Sequence, residues 1–374
     1  MTTTPNQSRG AEALRISNLR LIFHTYAGDV KALDGIELDV SKGEILGLVG
    51  ESGCGKSVTA LAIAGLLPEN AEVISGSVLV DGRDLLHMDK NEVRRARSKD
   101  IAFVFQDPMT YLNPVISIGS QLTETLTDDR KTHRSMLLET KARELDARIR
   151  ADPSDSKAVA EKARIGMPDA KLGGREAKRL ARLKAIEYLK LVRLPEPERI
   201  FKMYPFELSG GMRQRVMIAM ALMRDPKVLL ADEITTALDV TVQAQILELL
   251  KVLRDEIDAA IVLITHDLAI VSEVCDRVAV MYAGNIVEVS SVEELFANPQ
   301  HPYTRGLMAA IPRPDRASIK LESIAGSVPD LIFPPSGCRF HPRCPKAFDR
   351  CTQVKPPMVE TKKGHEVACL LYGG

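Results

Sequence analysis

The sequence carries no excess of charge of either sign: its 374 residues hold 50 Lys and Arg against 50 Asp and Glu. That balance argues against a protein that binds nucleic acid by bulk electrostatics, because such domains carry a clear basic surplus. Long hydrophobic runs are missing as well. The strongest, Val216 to Met223, spans eight residues between Arg215 and Arg224, far short of the roughly 20 apolar residues of a membrane helix. Met1 to Arg15 is polar and lacks the apolar core of a secretory signal, so a cytoplasmic location is expected. Tryptophan is absent and aromatic residues make up 4%. Six cysteines in a reducing compartment do not form a disulfide framework, so clustering among them points to metal or reactivity. Cys54 and Cys275 stand alone, while four cysteines lie between Cys338 and Cys369. At roughly 100–200 residues per domain, the length supports two or so domains and a large core.

What is present is an alternation of strands and helices. Leu14 to Phe23, Ile36 to Val40, Ile45 to Val49, Ser77 to Val80 and Ile101 to Phe105 read as strands, and Lys56 to Leu67 as a helix. The alternation resumes with strands at 228–231, 260–264 and 277–281 and helices at 240–257 and 268–274, closing on a hairpin at Gly284-Asn285. This order implies a mostly parallel, helix-covered sheet, an α/β fold. Residues 112–187 contain no Phe, Tyr or Trp and are dense in Ala, Arg, Lys and Glu. Within them, 127–184 holds 16 Lys and Arg against 10 Asp and Glu and breaks at Pro153 and Gly173-Gly174, reading as a solvated helical insertion. From about Pro299 the chain is rich in Pro and poor in periodicity, as expected of an extended tail packed on the main body or held by something other than a core.

Directly after the strand 45–49 stands Gly50-Glu51-Ser52-Gly53-Cys54-Gly55-Lys56-Ser57, a G-x-x-x-x-G-K-S pattern in strand–loop–helix context. Its glycines let backbone N–H groups and the following helix N-terminus face a phosphate, Lys56 adds a positive charge, and the Ser57 hydroxyl suits Mg²⁺. Cys54 reads as a small side chain tolerated in this loop. The apolar run Val228 to Ala231 ends in Asp232 and Glu233, two carboxylates at the C-terminal end of a strand, where α/β ligand sites form. Asp232 suits the Mg²⁺ shell and Glu233 the polarisation of an attacking water. A second anion cradle opens the helix that begins at Leu208-Ser209-Gly210-Gly211-Met212-Arg213-Gln214, with Ser209 as N-cap.

Together these residues resemble the ATP-binding-cassette ATPases: the loop 50–57, the signature 208–214, Asp232-Glu233, Thr236-Ala237-Leu238-Asp239 and Thr265-His266-Asp267, in the family's order. The resemblance makes Gln106 the Q-loop glutamine, a Mg²⁺ ligand beside Ser57 and Asp232, and His266 the switch histidine acting with Glu233. It places Asp239, Ser209, Gly210 and Gly211 in nucleotide binding and implies a head-to-tail dimer, in which one cassette's signature completes the other's phosphate loop. Tyr26 is the choice for stacking on adenine, with Phe23 its rival. One residue departs from the pattern: Ile234 stands where the family usually has Pro, which could loosen the aim of Glu233.

The resemblance narrows to the D-type ATP-binding subunits of oligopeptide and dipeptide permeases, through Phe105-Gln106-Asp107-Pro108-Met109, Leu112-Asn113-Pro114 and Asn298-Pro299-Gln300-His301-Pro302-Tyr303-Thr304-Arg305. It implies an ABC nucleotide-binding domain over 12–300, with a β-subdomain and an α-helical subdomain at about 107–225 that holds the insertion 127–184. A C-terminal extension follows over 301–374. The implied activity is ATP hydrolysis driving peptide import. The implied partners are a second ATPase subunit, two membrane-spanning permeases and an external solute-binding protein, with no nucleic acid, and the implied position is the cytoplasmic face of the inner membrane. Nickel chelates or glutathione as cargo, or a non-transport cassette ATPase, are the alternatives.

Cys338, Cys344, Cys351 and Cys369 are separated by five, six and seventeen residues. Structural zinc favours closely paired C-x₂₋₄-C ligands, which are missing here, whereas iron–sulfur clusters accept varied spacing. The permease subunits this tail resembles can hold a 4Fe-4S cluster at these positions. Zinc, or no metal, remains open; His341 and His365 lie nearby and could substitute as ligands, but read as isolated polar surface histidines.

Overall fold

A computed structural model describes residues 11–105, 111–128, 133–167, 172–236, 239–310 and 324–373. Its strands, in chain order, are β1 (Glu12–Thr25), β2 (Gly28–Ser41), β3 (Ile45–Val49), β4 (Ala71–Val80), β5 (Arg83–Asp84) and β6 (Ile101–Val104). Then come β7 (Val228–Asp232), β8 (Ala260–Thr265), β9 (Arg277–Tyr282), β10 (Asn285–Ser291), β11 (Val359–Lys362) and β12 (His365–Val367). The α/β class expected from the sequence is borne out. The chain divides into two units, one of residues 1–94, 227–233 and 250–374, the other of 95–226 and 234–249.

In the first unit, β2, β1, β4 and β5 form an antiparallel sheet in that order. β1 and β2 run further than the apolar pattern predicts, because they pair along their whole length across a turn at Tyr26 and Ala27, where Thr25 faces Gly28. The second sheet is parallel at its centre: β3 lies between β8 and β9, and β7 pairs with β8. Every residue of β3 and β8 is buried, which is why both read as continuous apolar runs rather than alternating ones. β10 turns back antiparallel on β9 as the Gly284-Asn285 signal predicts, and β12 and β11 extend the sheet beyond it.

The C-terminal region therefore adds strands to the main sheet and shares its core. Phe340 is 2% exposed and packs edge-on to Tyr282, with ring centroids 5.1 Å apart, and against Tyr303 at 5.4 Å. Beneath them Glu288, wholly buried on β10, accepts bonds from the backbone N–H groups of Gln300 (2.7 Å) and His301 (2.9 Å) and contacts His365 Nε2 at 2.8 Å. His365 is thus buried, contrary to the surface position expected for it. A desolvated carboxylate needs several donors, and the β12 histidine supplies one.

Apart from β6, the regular elements described in the second unit are helical. The insertion forms helices Arg134–Ala151, Ser156–Ile165 and Gly174–Leu191, separated at the expected breaks. It is less solvated than its composition implies, since Leu137, Leu145, Leu180, Ala181 and Leu189 are buried. Its charges pair with one another: Arg179 binds Glu144 and Glu176, Arg148 binds Asp155 at 2.7 Å, and Lys141 meets Glu161 and Glu176. The net positive charge of the insertion is therefore spread over an ion-paired surface.

Candidate nucleotide site

Strand β3 delivers the chain into the phosphate loop at Gly50, which has φ 156° and lies so close to β9 that a Cβ would stand 2.1 Å from the carbonyl oxygen of Met281. Only glycine fits this approach. The loop then feeds the helix Lys56–Ile63, whose N-cap is Gly55. Lys56, 6% exposed, donates from Nζ to the carbonyls of Gly50 (2.7 Å) and Glu51 (3.0 Å), so its ammonium is held at the mouth of the loop. A cavity of about 310 Å³ opens there, lined among others by Phe23, Ser52, Gly53, Lys56, Ser57 and Glu233. Phe23 is thus at the cavity wall, while Tyr26 sits fully exposed at the tip of the β1–β2 turn.

Asp232 closes β7. Burial pushes its carboxyl above the ordinary range and the neighbouring Glu233 adds to this, while a hydrogen bond from Ser57 and the charge of Lys56 oppose it. A desolvated carboxylate bonded to a hydroxyl is a pair of hard oxygen donors, and their chemistry fits a Mg²⁺ ion. Gln106, the third ligand expected, lies outside the described residues.

Glu233 adopts φ 47°, the left-handed region that non-glycine residues rarely occupy. Two bonds hold it there: its N–H donates to the Ile264 carbonyl at 2.9 Å, and His266 Nδ1 lies 3.0 Å from its Oε1. The neighbouring Ile234 is 2% exposed. Beside Ile234, Glu233 is thus tied to β8 through its N–H and to His266 through its carboxylate.

The second cradle belongs to the second unit. Ser209 caps the helix Gly210–Leu222 by accepting from the Met212 N–H at 3.3 Å, and Arg213 ties back to the Leu208 carbonyl at 2.6 Å. A Cβ on Gly211 would meet Val242 at 2.4 Å, so this glycine is needed for helix–helix approach as well as for the cradle. Asp239 accepts from the Val242 N–H at 2.9 Å. Ala237 and Leu238 lie outside the described residues.

Two partners of the phosphate loop escaped the sequence reading. Arg343 forms a bidentate ion pair with Glu51, at 2.6 and 3.1 Å, and the Tyr303 hydroxyl accepts from the Glu51 N–H at 2.9 Å. They stand 292 and 252 residues away in the chain. No local spacing could have signalled either.

The four tail cysteines are electrostatic neighbours. Burial pushes the Cys338 thiol up to about 11, with Cys351, Cys369 and Cys344 adding to the effect. Cys344 and Cys369 are raised by the same causes, burial first. The Cys338 N–H also donates to the Cys351 carbonyl at 2.9 Å. Yet among the described residues no three His, Cys, Asp or Glu side chains converge to hold a single metal ion. The donor arrangement among the described residues therefore does not fit a single zinc ion, and packing around Phe340 anchors this region to the main sheet.

These features define a phosphate-binding ATPase cassette, and comparison with known proteins agrees. The ABC transporter profile matches residues 33–236, and that of the oligopeptide/dipeptide transporter C-terminal region matches 287–351. The dipeptide transport ATP-binding protein DppD of Bacillus subtilis is 42% identical over 361 residues, covering 96% of this chain and 95% of that protein. The oligopeptide transport ATP-binding protein OppD of Escherichia coli is 42% identical over 98% of this chain and 96% of its own length. Among solved structures, the ATP-binding cassette MJ0796, a dimer in a post-hydrolysis state with ADP and Pi, superposes with TM-score 0.54 at 25% identity, over 75% of this chain and 98% of that one. The cbiO1 subunit from Clostridium perfringens gives TM-score 0.55 at 26% identity, over 77% and 92%. The chain belongs to the ABC transporter family, as an ATPase subunit with an oligopeptide/dipeptide transporter C-terminal region. No helix among the described residues is long and apolar enough to cross a membrane.

Proposed function

We propose that this chain hydrolyses ATP to drive import of di- and oligopeptides, as a head-to-tail partner of a second cassette bound to two permease subunits at the cytoplasmic face of the membrane. An external solute-binding protein delivers the cargo. The observation that carries the reading is the grouping of Lys56, Ser57, Asp232, Glu233 and His266 around one phosphate loop, in a chain whose C-terminal region matches that of oligopeptide and dipeptide transporters. Relatives named for dipeptide and oligopeptide transport, 42% identical over nearly the whole chain, favour peptide over nickel or glutathione cargo and over a non-transport ATPase. The nucleotide-binding domain is taken as 12–300 and the extension as 301–374.

In this mechanism backbone N–H groups of 50–57 and the helix dipole hold the β-phosphate, and Lys56 leaves the Gly50 and Glu51 carbonyls for the β- and γ-phosphates. Ser57 and Asp232 would hold Mg²⁺, which would supply charge neutralisation at the phosphate oxygens. Glu233 orients the attacking water. His266 donates Nδ1–H to Glu233, fixing the carboxylate, and keeps Nε2 for the γ-phosphate. Phe23, at the cavity wall, is better placed than Tyr26 to cover the base. The second cassette's signature completes the charge stabilisation here, and the Ser209–Gly211 cradle of this chain does the same for the second cassette's phosphate loop, so turnover depends on dimer closure.

Glu233→Gln in the assembled transporter tests the assignment: ATP binding stays and peptide-stimulated turnover falls by at least a hundredfold, whereas turnover near the native rate would remove Glu233 from this role. The four-cysteine tail is proposed to hold a 4Fe-4S cluster rather than zinc. Anaerobic purification should then yield about four irons per chain and a brown chromophore, and iron-free protein of full activity would end that proposal.

A further inference from the structure

We propose that the C-terminal region positions the phosphate loop, with Arg343 and Tyr303 as positioning residues for ATP binding. Arg343 is engaged on every side. Its side chain is 6% exposed. Nε donates to the Ala325 carbonyl at 2.8 Å, and Nη2 to the carbonyls of Gly326 (3.2 Å) and Ile324 (3.3 Å). Both Nη atoms grip the Glu51 carboxylate, and the guanidinium lies 5.7 Å from the centre of the Tyr282 ring. A planar fork satisfied on every side admits one orientation, which a lysine ammonium cannot reproduce.

Glu51 is the first variable position of the phosphate loop, and its peptide is anchored from two directions. Its N–H donates to the hydroxyl of Tyr303, a residue with no exposed surface, while its carbonyl accepts from Lys56. The Gly50 carbonyl accepts from Lys56 too. Arg343 and Tyr303 thus hold one side of the peptide whose other side parks the phosphate-binding lysine. Leu331, from the same C-terminal region, lines the cavity and accepts from the Lys31 N–H at 2.9 Å. A clamp that acts only as a staple would hold the tail down and leave the loop alone, but here its endpoint is the loop itself. Preorganisation of this kind lowers the ordering cost of binding and acts equally on substrate and transition state, so its loss raises KM and spares kcat.

The inference rests on the ATP-site assignment above, and one experiment separates the two. Equilibrium binding of ATP to the full-length chain and steady-state ATPase of the assembled transporter are measured for wild type, Arg343→Met, Arg343→Lys, Tyr303→Phe, Glu51→Gln and the Arg343→Met/Glu51→Gln double variant. If the wild type does not bind ATP, the site assignment falls. If it binds, Arg343→Met should weaken ATP binding about tenfold, or about 1.4 kcal/mol, with kcat within twofold of wild type. Arg343→Lys should recover only part of the loss. The double variant should be no weaker than the worse single one, as expected when both remove one interaction. Tyr303→Phe deletes a single oxygen and should weaken binding even if Arg343→Met fails to fold. Unchanged ATP affinity in Arg343→Met and Tyr303→Phe, or additive losses in the double variant, would overturn the inference.

Discussion

Acidification should loosen the C-terminal region through His301, and the size of the effect follows from its surroundings. The ring is 1% exposed, and its Nδ1 accepts from the Tyr303 N–H at 3.0 Å, capping the helix Pro302–Ala309. A protonated ring would present a donor to that N–H. Burial accordingly pushes the His301 pKa down to about 3. Between the unfolded value near 6.5 and this folded one, the unfolded chain binds a proton that the folded chain refuses. Stability is therefore complete above about pH 6.5 and lost as pH falls toward 3, at up to about 1.4 kcal/mol per pH unit. At pH 4.5 the loss is about 3 kcal/mol. Because Tyr303 rides on this helix and holds Glu51, the loosening reaches the phosphate loop. The assay is hydrogen exchange at the amides of 303–308 between pH 7 and 4.5, corrected for intrinsic rates, in wild type and His301→Asn. The asparagine keeps an acceptor at the N-cap but cannot titrate. His365 and Glu288 are present in both proteins and cancel in the comparison. Equal pH dependence in the two proteins would refute the reasoning.

Three further outcomes are expected. Gly50→Ala should abolish ATP binding, because its Cβ would stand 2.1 Å from the Met281 carbonyl oxygen; a nucleotide titration that returns wild-type affinity contradicts this. Asp225→Ala strips the partner from Lys184, whose side chain is 2% exposed, and from the Tyr188 hydroxyl. It should cost about 3 kcal/mol in the denaturation of the helical unit, and adding Lys184→Met should restore most of the loss. Burial raises the thiols of Cys54 and Cys275, so maleimide at pH 7 should spare both until the chain unfolds, and rapid labelling of either in the folded protein would contradict this.

Much of the nucleotide site was legible because its chemistry is local. A phosphate cradle needs a glycine loop between a strand and a helix, so Gly50 to Ser57 declares itself in eight consecutive residues. Asp232-Glu233 does so as two carboxylates after an apolar run. Where geometry is long-range, legibility ended. His365 reads as a polar tail residue and is buried, because its partner Glu288 lies 77 positions earlier. The insertion reads as solvated because apolar periodicity is diluted by charges, and only the packed helices show those charges pairing with one another.

The sequence by itself determined the strand–helix order, the phosphate loop, the carboxylate pair and the family resemblance, since each depends on neighbours along the chain. Only the tertiary structure decided that Phe23 rather than Tyr26 lines the cavity, that Glu233 is tied to Ile264 and His266, and that the C-terminal region packs around Phe340, with no zinc-like site among the described residues. It alone brought Arg343 to Glu51. The physical reason is common to all of these: a side chain's role there is set by which distant surfaces exclude water around it, and that is a property of packing rather than of spacing.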